Sequence, residues 1–162
     1  MYSICVDLRR CLALGALVLI LAACGSEPDS PETRVREMVD AMQAAVERRS
    51  VQDAAALLAS DYRDARHASK REAVATLFAY LRRNRQIHLF TLIDDLEVAA
   101  GRQAATASVL VAMAGVPLES LETVISLRAD LYRFEMTLVQ EGDDWVIGES
   151  SWQRVRPEGL SL

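Results

Sequence analysis

The chain has 162 residues, with 18 Lys and Arg against 23 Asp and Glu, for a net charge of −5 at neutral pH. That balance speaks against nucleic acid as a partner, because phosphate binding needs clustered positive charge. All three cysteines (Cys5, Cys11 and Cys24) fall near the start, which excludes an internal disulfide and a thiolate metal site from the rest of the chain.

Arg9 and Arg10 precede an almost wholly apolar run from Cys11 to Ala22. Twelve helical residues rise about 18 Å, well short of the roughly 30 Å hydrocarbon core of a bilayer. The run therefore reads as the apolar region of an export signal rather than as a spanning helix. It ends in Leu21-Ala22-Ala23-Cys24, which resembles the lipobox of a bacterial lipoprotein. The resemblance implies cleavage before Cys24 and a lipid anchor on Cys24. Removal of residues 1–23 leaves 139 of the 162 residues and, with Asp7, Arg9 and Arg10 gone, a net charge of −6. Gly25 rather than Asp after the cysteine implies, by the same resemblance, an outer-membrane lipoprotein facing the periplasm. An uncleaved signal anchor and an ordinary secretory signal are the alternatives. Residues 24–30 form a tether, and its polar part from Gly25 to Ser30 spans about 20 Å when extended. A folded domain is expected over 31–156, followed by a frayed tail at 157–162.

Within the domain, Ser30-Pro31 supplies a helix start. Val35, Met38, Val39, Met42, Ala45 and Val46 recur at helical spacing, giving one apolar stripe. Ser50 is expected to cap a short second helix. Ser69-Lys70-Arg71-Glu72 is a capping box that opens a third, with Val74, Leu77, Phe78 and Leu81 inward and Asn84 in a left-handed end position. Residues 60–67 read as a turn with a short extended piece. From Ile87 the period changes to that of strands. Four long strands are predicted, near 87–98, 105–113, 129–140 and 145–155, with a bulge at Asp94-Asp95 and a hairpin turn at Glu141-Gly142-Asp143-Asp144. The connection from Gly115 to Leu127 has room for a short helix.

Helices followed by antiparallel strands make an α+β layout, in which the sheet buries one face against the helices. The order helix, helix, Asp-Tyr-Arg-Asp, capped helix and four strands, with the ending Phe-Glu-Met-Thr-Leu-Val-Gln-Glu-Gly-Asp-Asp-Trp-Val-Ile-Gly-Glu-Ser-Ser-Trp, resembles the nuclear transport factor 2-like (SnoaL-like, cystatin-like) superfamily. This resemblance covers about Thr33 to Val155. It implies a curved sheet wrapped round helices into a cone, and a pocket at the mouth of the cone. It also implies homodimers through the sheet face as one arrangement. It does not fix an activity, because the fold hosts enzymes and binding modules alike.

Isomerase-like members of that superfamily would have an oxyanion tyrosine on the first helix, where this sequence has Met42. Tyr62, Asp64 and His88 are the weak candidates for catalysis, with Asp61 and Asp64 read first as turn formers paired with Arg63 and Arg66. His67 is expected to be exposed. His88, Asp94 and Asp95 do not match a metal-ligand spacing. No metal and no cofactor are expected, since the chain has no Gly-rich phosphate loop, no Cys-His cluster and no nucleophile elbow. Seven basic residues between Arg63 and Arg85 read either as a solvated helix rim or as a contact for anionic lipid or polymer. Trp145 and Trp152, seven apart, are expected on opposite sheet faces. The reading that follows is a membrane-anchored, non-catalytic domain that binds a small apolar ligand or an envelope protein. The alternative is an enzyme of isomerase, dehydratase or hydrolase type acting on a small hydrophobic substrate.

Overall fold

The computed structural model describes residues 30–101, 103–118, 120–126 and 129–156, without the side chains at 121 and 122. The signal, Cys24 and the 157–162 tail lie outside the described residues. The elements in order are α1 (Pro31–Glu47), α2 (Val51–Ala56), β1 (Leu58–Asp64), α3 (Lys70–Arg83), β2 (His88–Val98), β3 (Ala104–Ala114), α4 (Leu121–Ser126), β4 (Asp130–Glu141) and β5 (Asp144–Arg154).

The helix starts follow from local chemistry. Ser50 Oγ accepts from the Asp53 amide at 3.3 Å, and Ser69 Oγ accepts from the Glu72 amide at 3.4 Å. Glu72 reaches back to the Ala68 amide rather than to that of Ser69, so the box closes one residue earlier than the motif suggests. Asn84 does not take a left-handed conformation. Its φ is −108°, and both its amide and its side-chain Nδ2 donate to Tyr80 O. Among the described residues the non-glycine residue in that conformation is Arg49, with φ 60°.

The sheet has five strands in the order β1-β5-β4-β3-β2, antiparallel throughout except for the parallel pair β1–β5. The segment expected as a turn with a short extended piece thus supplies the fifth strand, over Leu58–Asp64. Its polar residues Ser60, Asp61 and Arg63 are exposed while Ala59 and Tyr62 are buried. A register shift in β1 breaks the strict alternation by which a strand is recognised. The free edge of β2 is partly covered by α1: Leu89 N–H donates to Glu47, and Leu89 C=O accepts from Gln43 Nε2.

Two further shifts decide which side chains enter the cone. In β2 the shift falls at Asp94, between Ile93 and Asp95, where the acidic pair interrupts the apolar pattern. In β5 it falls at Gly148, since Leu138 pairs with Ile147 but Thr137 with Glu149. An extra residue on one strand reverses its alternation. Trp145 therefore packs in the main core while Trp152 lines the pocket on the same face, against the expectation of opposite faces.

The main core joins Val35, Met38 and Val39 of α1 to Ala107, Val109, Leu138 and Trp145 of the sheet. A smaller cluster lies on the other face, where Leu118 and Val124 cover Ala112 and Leu131. On that outer face Arg133 bridges to Asp94 at 3.1 Å, and Ser108 donates to Glu135 at 3.0 Å. Arg63 meets Glu149 at 4.0 Å and not a neighbouring aspartate.

Candidate functional site: an apolar pocket with a polar end

Between α1, α3 and the sheet lies a pocket of about 370 Å³. Its walls are mainly apolar. Met38, Met42 and Val46 come from α1, Ala73, Val74 and Leu77 from α3, and Val109, Val111, Met113 and Met136 from the sheet. Met42, in place of an isomerase-type tyrosine, thus lies in the pocket wall. Four methionines among the lining residues make that wall deformable, because the thioether chain is unbranched and polarisable.

The polar groups gather at one end. Tyr62, Asp64, His67, Thr76 and Ser150 all line the pocket, and hydrogen bonds link them into one network. The Tyr62 hydroxyl donates to Asp64 Oδ2 at 2.9 Å and lies 2.7 Å from Ser150 Oγ. Since its one proton goes to the carboxylate, Ser150 is the donor in that second contact. His67 Nδ1 lies 2.8 Å from Asp64 Oδ2, and His67 Nε2 lies 2.9 Å from Thr76 Oγ1. Asp64 Oδ1 also accepts from the amides of Arg66 and His67, at 2.7 and 2.9 Å.

These contacts set the protonation of the group. The Asp64 side chain is only 1 % exposed. Burial alone would raise its pKa, but the bonds from His67, Tyr62 and the two amides outweigh it and hold the carboxyl below its ordinary value. The ionised carboxylate only accepts, so His67 Nδ1 carries a proton. In the neutral imidazole, Nε2 then presents its lone pair to the Thr76 hydroxyl. Tyr62 goes the other way. Burial first, with Asp64 adding to it, pushes its phenol up to about 12 against the pull of the Ser150 bond. At neutral pH the end of the pocket therefore holds a carboxylate and a neutral phenol, with the His67 ring oriented beside them.

Aromatic stacking fixes the imidazole from the side. Trp152 stacks on His67 at a centroid distance of 6.4 Å and on Phe134 at 5.7 Å. The Arg66 guanidinium lies 4.9 Å from the Trp152 ring rather than against an aspartate. Thr76 and Tyr80, both exposed, mark the mouth.

Of the sequence candidates, the structure brings Tyr62 and Asp64 together and leaves His88 out of the pocket. Asp64 is the turn former that it was expected to be, but its turn delivers His67 inward. His67 is 15 % exposed at its side chain, not a surface residue. Ser150 and Thr76 carried no sequence signal, and Trp152 was singled out only by its spacing from Trp145. The spacing Asp-x-x-His could have flagged the dyad, because an Asp that accepts from the amides two and three residues on draws the side chain at the third into reach. Among the described residues no group of three or more His, Cys, Asp or Glu could hold a metal ion.

The fold is that of the cystatin-like, nuclear transport factor 2-like α+β cones, with helices packed on a five-stranded sheet. No family model and no curated protein matches the chain. Solved structures do match. One is a domain of unknown function with a cystatin-like fold from Nostoc punctiforme, at 15 % identity and a TM-score of 0.60, covering 79 % of this chain and 80 % of that one. Another is a nuclear transport factor 2-like protein of unknown function from Pseudomonas putida, at 19 % identity and a TM-score of 0.56, over 75 % of this chain and 84 % of that one. A third is a scytalone dehydratase candidate from Novosphingobium aromaticivorans, at 11 % identity and a TM-score of 0.63, over 76 % and 83 %. At these identities the likeness is one of fold.

Proposed function

We propose that the protein binds a small, largely apolar molecule in the cone, with the molecule's polar group held at the Tyr62–Asp64–His67 end. The observation that carries this reading is the pocket itself. Its volume of about 370 Å³ falls within the range typical of small-molecule sites, and it has the usual apolar wall with a few convergent polar groups. In the same reading the domain hangs from a lipid on Cys24 at the outer membrane, facing the periplasm, so that ligands or envelope proteins reach it there. A thermal-shift screen of apolar compounds bearing one hydroxyl or carbonyl tests the pocket. Binders raise the melting temperature of the wild type and have no effect on Ala73→Phe, which fills the cavity. Retained binding in the filled variant, or no binder at all, overturns the proposal.

A second reading has the same pocket act as an enzyme of isomerase, dehydratase or hydrolase type. What favours it is the Asp64–His67 pair. A buried carboxylate that orients an imidazole, with Nε2 turned to the pocket, is a proton-transfer arrangement. Thr76 occupies Nε2, and a substrate group with an exchangeable proton would replace it. Tyr62 and Ser150 form a hydroxyl pair beside it. Deuterium exchange at the acidic C–H of a bound ketone, followed by NMR, is the test. Exchange that is lost in His67→Ala, with binding retained, supports the enzyme. Binding without exchange leaves only the first reading.

A further inference from the structure

The outward face of α3 has no role in the pocket chemistry. Arg71, Ala75, Phe78 and Arg82 follow one another at intervals of four, three and four residues, which places them on one helical stripe. All four are exposed, and Phe78 is 50 % exposed although its spacing predicted it inward. The Arg82 guanidinium lies over the Phe78 ring at 5.7 Å. Arg83 and Arg85 extend the positive charge past the end of the helix, and both are exposed. None of these four arginines pairs with a carboxylate among the described residues. The only acid on α3 is Glu72, and it is engaged at the helix start.

We propose that this face of α3 docks on an anionic lipid bilayer. The charge is of the right sign, and its concentration on one helix is unexpected in a chain whose net charge is −5. A half-exposed phenylalanine between arginines matches the layering of an interface, with phosphates at the level of the guanidinium groups and acyl chain just beneath. Arginine stems can lie along that boundary with their heads in the phosphate layer. An acidic polypeptide would satisfy the same arginines, and the response to Phe78→Ser separates it from a bilayer.

The surface also has a place in the ligand reading, though it does not depend on it. Thr76 and Tyr80 of the same helix mark the pocket mouth, and Ala73 and Leu77 line the cavity. Docking through α3 holds the domain at the lipid surface, where an apolar ligand partitions. The contact is distinct from any anchor on Cys24. An anchor limits distance, whereas this face sets orientation.

Vesicle flotation tests it, with the full chain carrying Cys24→Ser so that no acyl group contributes. Neutral phosphatidylcholine vesicles give the baseline for any apolar segment. Vesicles containing phosphatidylglycerol should bind more tightly, and high salt should remove the excess. Arg82→Glu with Arg83→Glu should weaken the anionic excess by at least roughly 25-fold, at about fivefold per arginine lost. Phe78→Ser should weaken vesicle binding with no change in charge, and should leave binding to soluble polyglutamate unchanged. Circular dichroism checks the fold, and Arg82→Gln with Arg83→Gln replaces the reversal pair if that pair does not fold. Equal binding to neutral and anionic vesicles overturns the proposal, as does an anionic excess that survives the arginine changes. Phe78→Ser without effect on vesicles, alongside tight polyglutamate binding, overturns it in favour of an acidic polypeptide. Because flotation needs no ligand, its failure leaves the pocket reading standing, and the reverse also holds.

Discussion

The Asp64 carboxylate joins two side chains that the pocket needs held still. Its Oδ2 is 2.9 Å from the Tyr62 hydroxyl and 2.8 Å from His67 Nδ1. One oxygen thus sets the direction of a phenol proton and the tautomer of an imidazole. Its partner oxygen caps the turn that carries the imidazole.

Asp64→Asn should therefore act on stability as well as on the pocket. Loss of charge-assisted bonds at a buried site costs about 1–3 kcal/mol at neutral pH. The pH dependence has a definite sign. A carboxyl held below its ordinary value of 3.8 contributes stability above that value and loses it as pH falls through the folded pKa. Wild type should lose more stability than Asp64→Asn on acidification from about pH 5 to about pH 3. Denaturant melts across that range provide the comparison, and parallel curves would mean that the carboxylate is not held as described.

Tyr62→Phe tests the other partner. The phenol, raised to about 12 from 10.0, favours the neutral form in the folded state. Its share of stability is complete below the unfolded value and is lost as pH rises through the folded one. A phenolate absorbance titration of the native protein should lose its latest-titrating group in the variant. The stability cost at neutral pH should be about 1 kcal/mol, because Ser150 and Asp64 each lose one partner. A titration curve that keeps its last step would place Tyr62 among the ordinary phenols.

Burial separates two substitutions of similar size. Leu138 is 0 % exposed at the centre of the main core, so Leu138→Ala should cost about 2–5 kcal/mol through lost transfer energy and a residual cavity. Ile125 on α4 is 44 % exposed, and Ile125→Ala should stay within about 0.5 kcal/mol. Chemical denaturation of both variants compares them, and a large effect at Ile125 would mean that α4 is covered in solution.

Cys24→Ala concerns the anchor, which lies outside the described residues. If the cysteine bears the lipid, membrane fractionation should find the variant in the soluble envelope fraction and the wild type in the membrane pellet. Persistence of the variant in the pellet with its signal cleaved would set the lipoprotein reading aside.

Most of the architecture was legible in the residues, for local reasons. The stripe from Val35 to Val46 determined the face of α1, Ser50 and Ser69 determined two helix starts, and the change of period at Ile87 separated helices from strands. Each of these depends on neighbours within a turn or two. The bulge at Asp94 was visible too, because two adjacent acids cannot continue an apolar alternation on one face.

What the sequence by itself could not determine lies wherever distant residues meet. β1 is a strand because β5, more than eighty residues later, runs beside it in parallel, and its own register shift hides the period. Gly148 reverses the alternation of β5, so a count of seven between Trp145 and Trp152 pointed to the wrong face. Ser150 owes its position to the same shift. His67 looked like a polar turn residue until Asp64 turned it inward under Trp152. Spacing determines which residues share a face only while the register holds, and three shifts in the sheet decide what the pocket contains.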